Sequence, residues 1–435
     1  MRNLGTKGQI KWPGNGLVPC AVLLGVLAGC ASTAVPDAPV QMAQAAVPAV
    51  PAQVNAKFAA FLSDFRAEAL AQGIQPATYD AAMAGLAPLP RIETLNAEQP
   101  EFTRPVWAYL DSAVSERRVT NGRQRLSENF TNLLNIEQRS GVPKEILVAI
   151  WGVETDFGRD VGSFNLFGAL ATLAYDGPRA AFARSELIAA LRILEQEKYP
   201  PSRMVSSWAG AFGQTQFIPS TFLKYASDGD GDGRKDLWGS ASDALASSAT
   251  FLNAFGWERG KSWGYEIRLP AGFGYEQADV DIAKPLADWR ALGVRTAAGA
   301  DLPDAPDAAS IYLPSGARGP AFLIFPNFKV ILKYNNAASY ALAVAMLADR
   351  IRGEGVVAAS WPRDEQPLSR DDRFAIQSGL KTLGFDPGPI DGVIGRQVRA
   401  AMRAWQKSSG LAADGYVSKD MAVRLQAAVI ATNAR

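Results

Sequence analysis

One carboxylate in this chain stands where an apolar side chain is expected. In the run PKEILVAIWGVETDFG, residues 143–158, Pro143 suits the first turn of a helix, where its missing N–H costs nothing. Leu147, Ile150 and Glu154 then fall at i, i+3 and i+7, with Val153 beside them. That spacing puts Glu154 on the apolar stripe, near the C-terminal end of the helix. Desolvation there opposes ionisation, and so does the negative end of the helix dipole. A glutamic acid kept protonated near neutral pH can act as a general acid on a leaving oxygen. The plainer reading of the same pattern is a buried partner for an arginine. Asp156, two residues on, points to a different face and reads as structural.

A second acidic cluster suggests a metal. Asp228, Asp230 and Asp232 occupy positions 1, 3 and 5 of a loop with Gly233 at position 6, the first half of a calcium-binding EF-hand. Position 12, where a bidentate Glu is expected, is Gly239. A solvated acidic turn, blunted by Arg234 and Lys235, is the alternative.

Absences narrow the chemistry further. The 435 residues include no histidine, so the commonest general base, the commonest metal ligand and every Ser-His or Cys-His nucleophile are excluded. The two cysteines, Cys20 and Cys30, provide neither a zinc cluster nor a disulfide framework. A formal net charge of +1 gives no electrostatic case for nucleic acid. Catalysis must therefore run on carboxylates, hydroxyls, amides, lysine or arginine, with no cofactor needed for it.

The elements that position these groups follow from the wider pattern. An apolar fraction of 48% and a charged fraction of 20% are globular, and the length calls for two or three domains. Arg2, Lys7 and Lys11 precede an apolar run from Leu17 to Gly29, too short to span a bilayer but suited to a signal peptide. The run ends in Leu27-Ala28-Gly29-Cys30, which resembles a bacterial lipobox, so residues 1–29 are read as a lipoprotein signal peptide and Cys30 as the lipid attachment site. An ordinary secretory signal cut near Ala31 is the alternative. Ala31, in place of an acidic residue, favours the outer membrane by resemblance to enteric lipoproteins. The expected location is periplasmic, anchored to the membrane through its lipid.

Residues 30–55, rich in Ala, Pro, Val and Gln, read as a tether. Residues 56–352 form the main body, helical in FAAFLSDFRAEALAQG and AAFARSELIAALRILEQE. RQRLSENFTNLLNIEQRSGVPKEILVAIWGVE reads as two helices joined at Ser140-Gly141. From about 264 to 329, YEIRLP, SIYLP and AFLIFP alternate with Gly, Pro and Asp and predict a small β insertion. Residues 353–368 read as a linker, and 369–428 as a compact module of helices separated by Gly-rich turns.

Three blocks carry a family resemblance. GVETDFG (152–158), SWAGAFGQTQFIPS (207–220) and YNNAASYA (334–341) resemble, in this order, the motifs of the membrane-bound lytic murein transglycosylase B family. That resemblance implies a mainly α fold, with a lysozyme-like core, an extra α domain and a small β domain. It implies Glu154 as the single acid/base. Ser207, Gln216, Phe217, Tyr334, Asn335 and Tyr340 match substrate-groove positions. Phe217, Tyr334 and Tyr340 would offer sugar-stacking faces and Gln216 and Asn335 amide hydrogen bonds, although core packing also accounts for the aromatics. Arg179 matches one of a pair of family arginines, the other being Pro178 here, which puts part of the contact to a peptide or lactyl carboxylate in doubt. Some members close a structural calcium loop with a later aspartate, for which Asp243 is the candidate. The C-terminal module resembles the three-helix peptidoglycan-binding domain of wall enzymes.

The implied activity cleaves the MurNAc-GlcNAc bond of peptidoglycan glycan strands without water and leaves 1,6-anhydro-MurNAc ends. A hydrolytic muramidase and a non-catalytic wall-binding lipoprotein are the competing readings. Nothing in the sequence names a protein partner.

Overall fold

The computed structural model describes residues 52–92, 105–177 and 179–434. Cys30 and the segment read as signal peptide lie outside the described residues, as does Pro178. Among the described residues no helix is long and apolar enough to cross a membrane.

The main body is helical. It runs through α1 (Ala52–Ala71), α2 (Pro76–Met83), α3 (Val106–Ala113), α4 (Glu116–Glu128), α5 (Phe130–Ser140), α6 (Lys144–Thr155), α7 (Leu166–Tyr175), α8 (Ala180–Glu197), α9 (Pro219–Tyr225) and α10 (Ala241–Ala254). The first helix starts at Ala52, inside the segment read as tether. The stretch expected to form two helices breaks twice. Beyond the expected break, where Gly141 caps α5 in the left-handed region (φ 74°), Asn129 ends α4. Its backbone N–H and side-chain Nδ2 both donate to the Arg125 carbonyl, satisfying an acceptor that the helix end leaves open.

The core explains why α6 is so apolar. Every side chain from Ile146 to Trp151 is buried, because the helix is enclosed by α4, α5, α10 and a later helix, α13 (Ala338–Arg352). A helix apolar all round must be central. Short strands β1 (Phe164–Asn165) and β2 (Val205–Ser206) pair antiparallel beside α7.

The β insertion forms a five-stranded antiparallel sheet with its own core. Strands β3 (Gly264–Arg268), β4 (Ala283–Pro285), β5 (Arg295–Thr296), β6 (Ala308–Tyr312) and β7 (Ala321–Ile324) lie in the order β4-β6-β7-β3-β5. Trp289, on α11 (Leu286–Ala291), is fully buried beneath them and donates its indole N–H to the Ala309 carbonyl at 2.8 Å. α12 (Pro326–Tyr334) then leads back into the helical body.

The C-terminal module has three helices, α14 (Arg370–Thr382), α15 (Arg396–Ser408) and α16 (Lys419–Asn433), around Ile376, Leu380, Met402, Trp405 and Leu425. Two buried glutamines repeat one device. The Gln377 amide accepts from Gly392 N–H and donates to Asp391, and the Gln406 amide accepts from Gly415 N–H and donates to Asp414. Each pins a Gly turn to its helix.

The segment 353–368 has no regular element, yet it is fastened to its surroundings. Glu266 accepts from the N–H groups of Ala358 and Ala359 at 2.7 Å each. Arg363 makes a bidentate pair with Asp111 and lies over the Trp107 ring. The module itself docks on the β insertion through Asp414 with the Ala317 N–H, at 2.8 Å, and Arg403 with Asp279, at 3.0 Å.

Candidate active site

Glu154 sits in the last turn of α6, half-buried. Among the described residues no cation pairs with it. Among the described residues its carboxyl has one hydrogen-bond partner, the Tyr340 hydroxyl, which donates to Oε1 at 2.6 Å. Burial raises its pKa to about 7, while the hydrogen bond from Tyr340 pulls in the opposite direction. Burial, then the Glu154 charge, raise the Tyr340 pKa well above its ordinary value, so the phenol stays protonated. The group is therefore an acid poised near neutrality, and the reading of Glu154 as an arginine's partner does not hold.

Asp156 is the carboxylate that has arginine partners. It caps α6 in the left-handed region (φ 48°), and Phe157 after it is left-handed too (φ 64°). Such backbone costs a non-glycine residue about 1 kcal/mol or more. Arg117 at 2.9 Å, Arg159 at 2.8 Å and Arg118 at 3.5 Å surround the Asp156 carboxylate. Burial alone would raise its pKa, but the Arg117 hydrogen bond and the charges of Arg117, Arg159 and Arg118 outweigh it and leave the carboxyl below its ordinary range. Its partners are these arginines, as its reading as a structural residue expects.

The 152–158 and 207–220 blocks meet through Thr155. Its hydroxyl donates to the Gln214 carbonyl at 2.6 Å and accepts from the Gly158 N–H at 2.9 Å. A Cβ on Gly158 would come within 2.6 Å of the Gln214 side-chain oxygen, and one on Gly152 within 2.7 Å of the Phe157 ring. Gln216, left-handed at φ 51°, is half-buried, and its amide donates to the Gly213 carbonyl at 3.1 Å. Ser207 is half-buried; its hydroxyl accepts from the Ala211 N–H at 3.2 Å and closes the turn that opens the block. Phe217 requires a correction. At 2% exposure, packed against Phe251 and Tyr334, it is a core residue and offers no face to a sugar.

The 334–341 block supplies the opposite wall. The Tyr334 hydroxyl donates to the Thr215 carbonyl at 2.8 Å and lies 3.0 Å from Ser248 Oγ. The Tyr334 and Tyr340 rings are nearly parallel, 6.5 Å between centroids. Tyr340 is buried on α13, and its contribution to the site is the hydroxyl. Asn335 ends α12 and is half-exposed. Arg179 lies over the Phe182 and Trp208 rings, at 5.7 and 5.8 Å, which places its guanidinium beside the 207–220 block. The sequence pattern did not single out Thr155, Ser248 or the arginines on Asp156. Adjacent Arg117-Arg118 offered only a weak signal, since nothing local said what they pair with.

The acidic loop divides. Oxygens of Asp228, Asp230 and Asp232 all lie within 4.8 Å of one another, an arrangement that could contribute to the 6–8 oxygens calcium takes. Asp243 is not among them. It is buried in the first turn of α10, and its two oxygens accept from the N–H groups of Gly229 and Asp236, at 2.8 and 2.6 Å. It clasps the base of the loop instead of closing the ion site.

Comparison with known proteins gives consistent results. Residues 57–349 match the transglycosylase SLT domain family, and residues 369–425 a putative peptidoglycan-binding domain. The chain is 32% identical over 266 residues to membrane-bound lytic murein transglycosylase B of Escherichia coli K12, which covers 59% of this chain and 71% of that protein. It is also similar to SltB3 of Pseudomonas aeruginosa, solved in complex with NAG-anhNAM-pentapeptide. There the identity is 48%, the TM-score 0.82, and the coverage 85% of this chain and 99% of that one. Escherichia coli Slt35, solved with calcium, is 28% identical with a TM-score of 0.60, over 67% of this chain and 92% of that one.

Proposed function

This chain belongs to the SLT-domain transglycosylase family, and from that premise we propose how its own residues perform the reaction. The protein is a lytic transglycosylase of peptidoglycan. It cleaves the glycosidic bond between MurNAc and GlcNAc without hydrolysis. The observation that carries the mechanism is Glu154: an acid whose pKa burial raises to about 7 and whose one hydrogen-bond partner among the described residues is Tyr340.

Tyr340 occupies Oε1, so Oε2 is the oxygen that holds the proton. Glu154 donates that proton to the glycosidic oxygen as the bond to C1 breaks, and GlcNAc leaves as an alcohol. Positive charge develops at C1 and O5 of MurNAc, and the N-acetyl oxygen of the same sugar supports it. The Glu154 carboxylate then takes the proton of the C6 hydroxyl, and O6 bonds to C1. The product is a 1,6-anhydro-MurNAc end, and Glu154 is again protonated. Water enters neither half, unlike in glycosidases that pair two carboxylates.

Gln216, Ser207, Tyr334 and Asn335 are read as lining the glycan groove, and Arg179 as meeting a lactyl or peptide carboxylate. Asp228, Asp230 and Asp232 would hold a structural calcium ion that stiffens the loop before α10 and takes no part in the reaction. Residues 369–428 would hold the enzyme on the wall, with catalysis confined to 56–352. The lipobox supports lipid attachment at Cys30, with residues 1–29 removed, and a location at the outer membrane facing the periplasm. The groove and loop assignments rest on the sequence motifs together with the side-chain geometry, and the lipid attachment rests on the lipobox sequence alone.

Mass spectrometry of fragments released from purified sacculi by wild type and Glu154→Gln tests the core reading. Anhydro ends from wild type alone are expected. Reducing ends, lost in the variant, would make the enzyme a muramidase with the same acid. Release of nothing by wild type would leave a wall-binding protein.

A further inference from the structure

A cleft of about 240 Å³ opens where α10, α12 and the sheet of the β insertion meet. Strand register decides what faces it. Ala283 of β4, Ser310 of β6 and Ile324 of β7 stand opposite one another, so their side chains form one row across three strands, and all three line the cleft. Ala309 and Ile311, the neighbours of Ser310, point the other way into the insertion's own core. Ser310 is 1% exposed, and its hydroxyl has no hydrogen-bond partner among the described residues. In a row otherwise apolar it is the one donor, and a buried hydroxyl left unpaired is destabilising unless something accepts from it.

The helical side of the cleft is positive. Phe325 and Pro326, at the N-terminus of α12, line it, and the helix dipole directs its positive end there. Lys329 and Lys333, one turn apart on the same helix, line it as well, and among the described residues neither makes an ion pair. The acids nearest along the strands are already taken: Asp307 pairs with Lys261 and Asp281 with Arg396. The charge of Glu258, two residues beyond Gly256, acts on Lys261. No carboxylate among the described residues lines the cleft itself.

That set of groups selects a ligand. An apolar molecule would leave both lysines and the hydroxyl unpaired, and a cation would be repelled. A carboxylate brings one charge and two oxygens. A phosphate group brings up to two charges and at least three acceptor oxygens, enough for two ammonium groups and the hydroxyl together. We propose that the cleft is a phosphate-binding site, in which Lys329 and Lys333 neutralise the group and Ser310 donates to one of its oxygens. Cleavage of the glycan calls on none of these three residues. A free phosphate and a lipid headgroup offer the same chemistry to these donors.

Calorimetric titration of inorganic phosphate into the full chain, at constant ionic strength, tests the site in wild type, Ser310→Ala and Lys329→Ala/Lys333→Ala. Wild type should bind one phosphate saturably. Loss of a hydrogen bond to a charged group predicts binding about tenfold weaker in Ser310→Ala, and loss of two partly exposed ion pairs about fivefold weaker in the double variant. Both variants should release anhydro ends from sacculi as wild type does, which shows that they fold. Ser310→Ala should melt no earlier than wild type without phosphate, because its hydroxyl has no partner to lose. Adhesion to phosphatidylglycerol vesicles, with phosphatidylcholine vesicles as the control, separates the two sources. Vesicle adhesion weakened in both variants, with no binding of free phosphate to wild type, would support the site and assign it to a headgroup. Equal behaviour of all three proteins toward both probes would overturn it. Acetate bound more tightly than phosphate would overturn the choice of anion.

Discussion

Removal of the Tyr340 hydroxyl should make Glu154 a weaker acid without emptying the site. The phenol donates to Glu154 Oε1 at 2.6 Å and is its one hydrogen-bond partner among the described residues, so Tyr340→Phe leaves burial as the dominant influence on the carboxyl. A hydrogen bond to a charged group is worth about 1.5–3 kcal/mol, and 1.36 kcal/mol corresponds to a tenfold change in proton affinity. The bond favours the carboxylate, so its loss moves the titration to higher pH by about 1 to 2 pH units. Activity that needs protonated Glu154 falls as pH rises through about 7 in wild type. In Tyr340→Phe this limb of kcat/KM, measured by release of anhydro ends, should lie at higher pH. The maximal rate should also drop, because the tyrosine stabilises the carboxylate formed after the first proton transfer. A limb that stays in place, or moves to lower pH, would refute the assignment of Glu154 as the acid whose proton Tyr340 modulates.

Stability gives a second view of the same group. A raised pKa in the folded state contributes stability that is present below the unfolded value near 4.5 and lost as pH rises through about 7. Glu154→Gln, which cannot ionise, should therefore match wild type in acid and exceed it by about 2–3 kcal/mol at pH 8, as read from denaturant unfolding. An advantage independent of pH would sink this account. Asp156→Asn keeps a residue tolerant of left-handed backbone but removes the charge that three arginines share; it should destabilise the protein by about 2 kcal/mol at neutral pH. Because the Asp156 pKa is lowered by folding, that difference should fade as pH falls below the ordinary carboxylate range, and thermal melts across pH would show it. Added calcium should raise the melting temperature of wild type and leave that of Asp228→Ala/Asp230→Ala where it was; no rise in wild type removes the ion from the account. Asp414→Ala breaks the contact to the Ala317 N–H and should speed limited proteolysis within residues 353–368, a rate that would not change if the docking were incidental.

The parts of this protein that were legible in sequence are those fixed by local chemistry. Helix periodicity gave α8 to the residue, and Gly141 marked a real break, because both depend on neighbours a few positions away. Glu154 was visible as a charge out of place on an apolar stripe. Partners brought together by the fold were not visible. Asp243 carries the right group for an ion but sits at a helix start where two backbone N–H groups claim it. Phe217 has the right ring for a sugar but lies behind Tyr334. Composition identified residues 353–368 as irregular, yet could not tell a free linker from one held by Glu266 and Asp111, since irregular backbone is equally able to donate to a distant carboxylate.

The double left-handed turn at Asp156 and Phe157 bears on how the enzyme comes to be active. Two consecutive non-glycine residues resist that geometry in an isolated chain, so the turn cannot be inherited from α6 as that helix nucleates. In the folded protein its charge is offset by Arg159 nearby and by Arg117 and Arg118, nearly forty positions earlier on α4. The turn that follows Glu154 is thus held by side chains from a distant helix as well as by its own neighbours. A chain in which α4 has come away would leave the Asp156 carboxylate, two residues from the acid that cuts the polymer, with Arg159 alone among these three arginines.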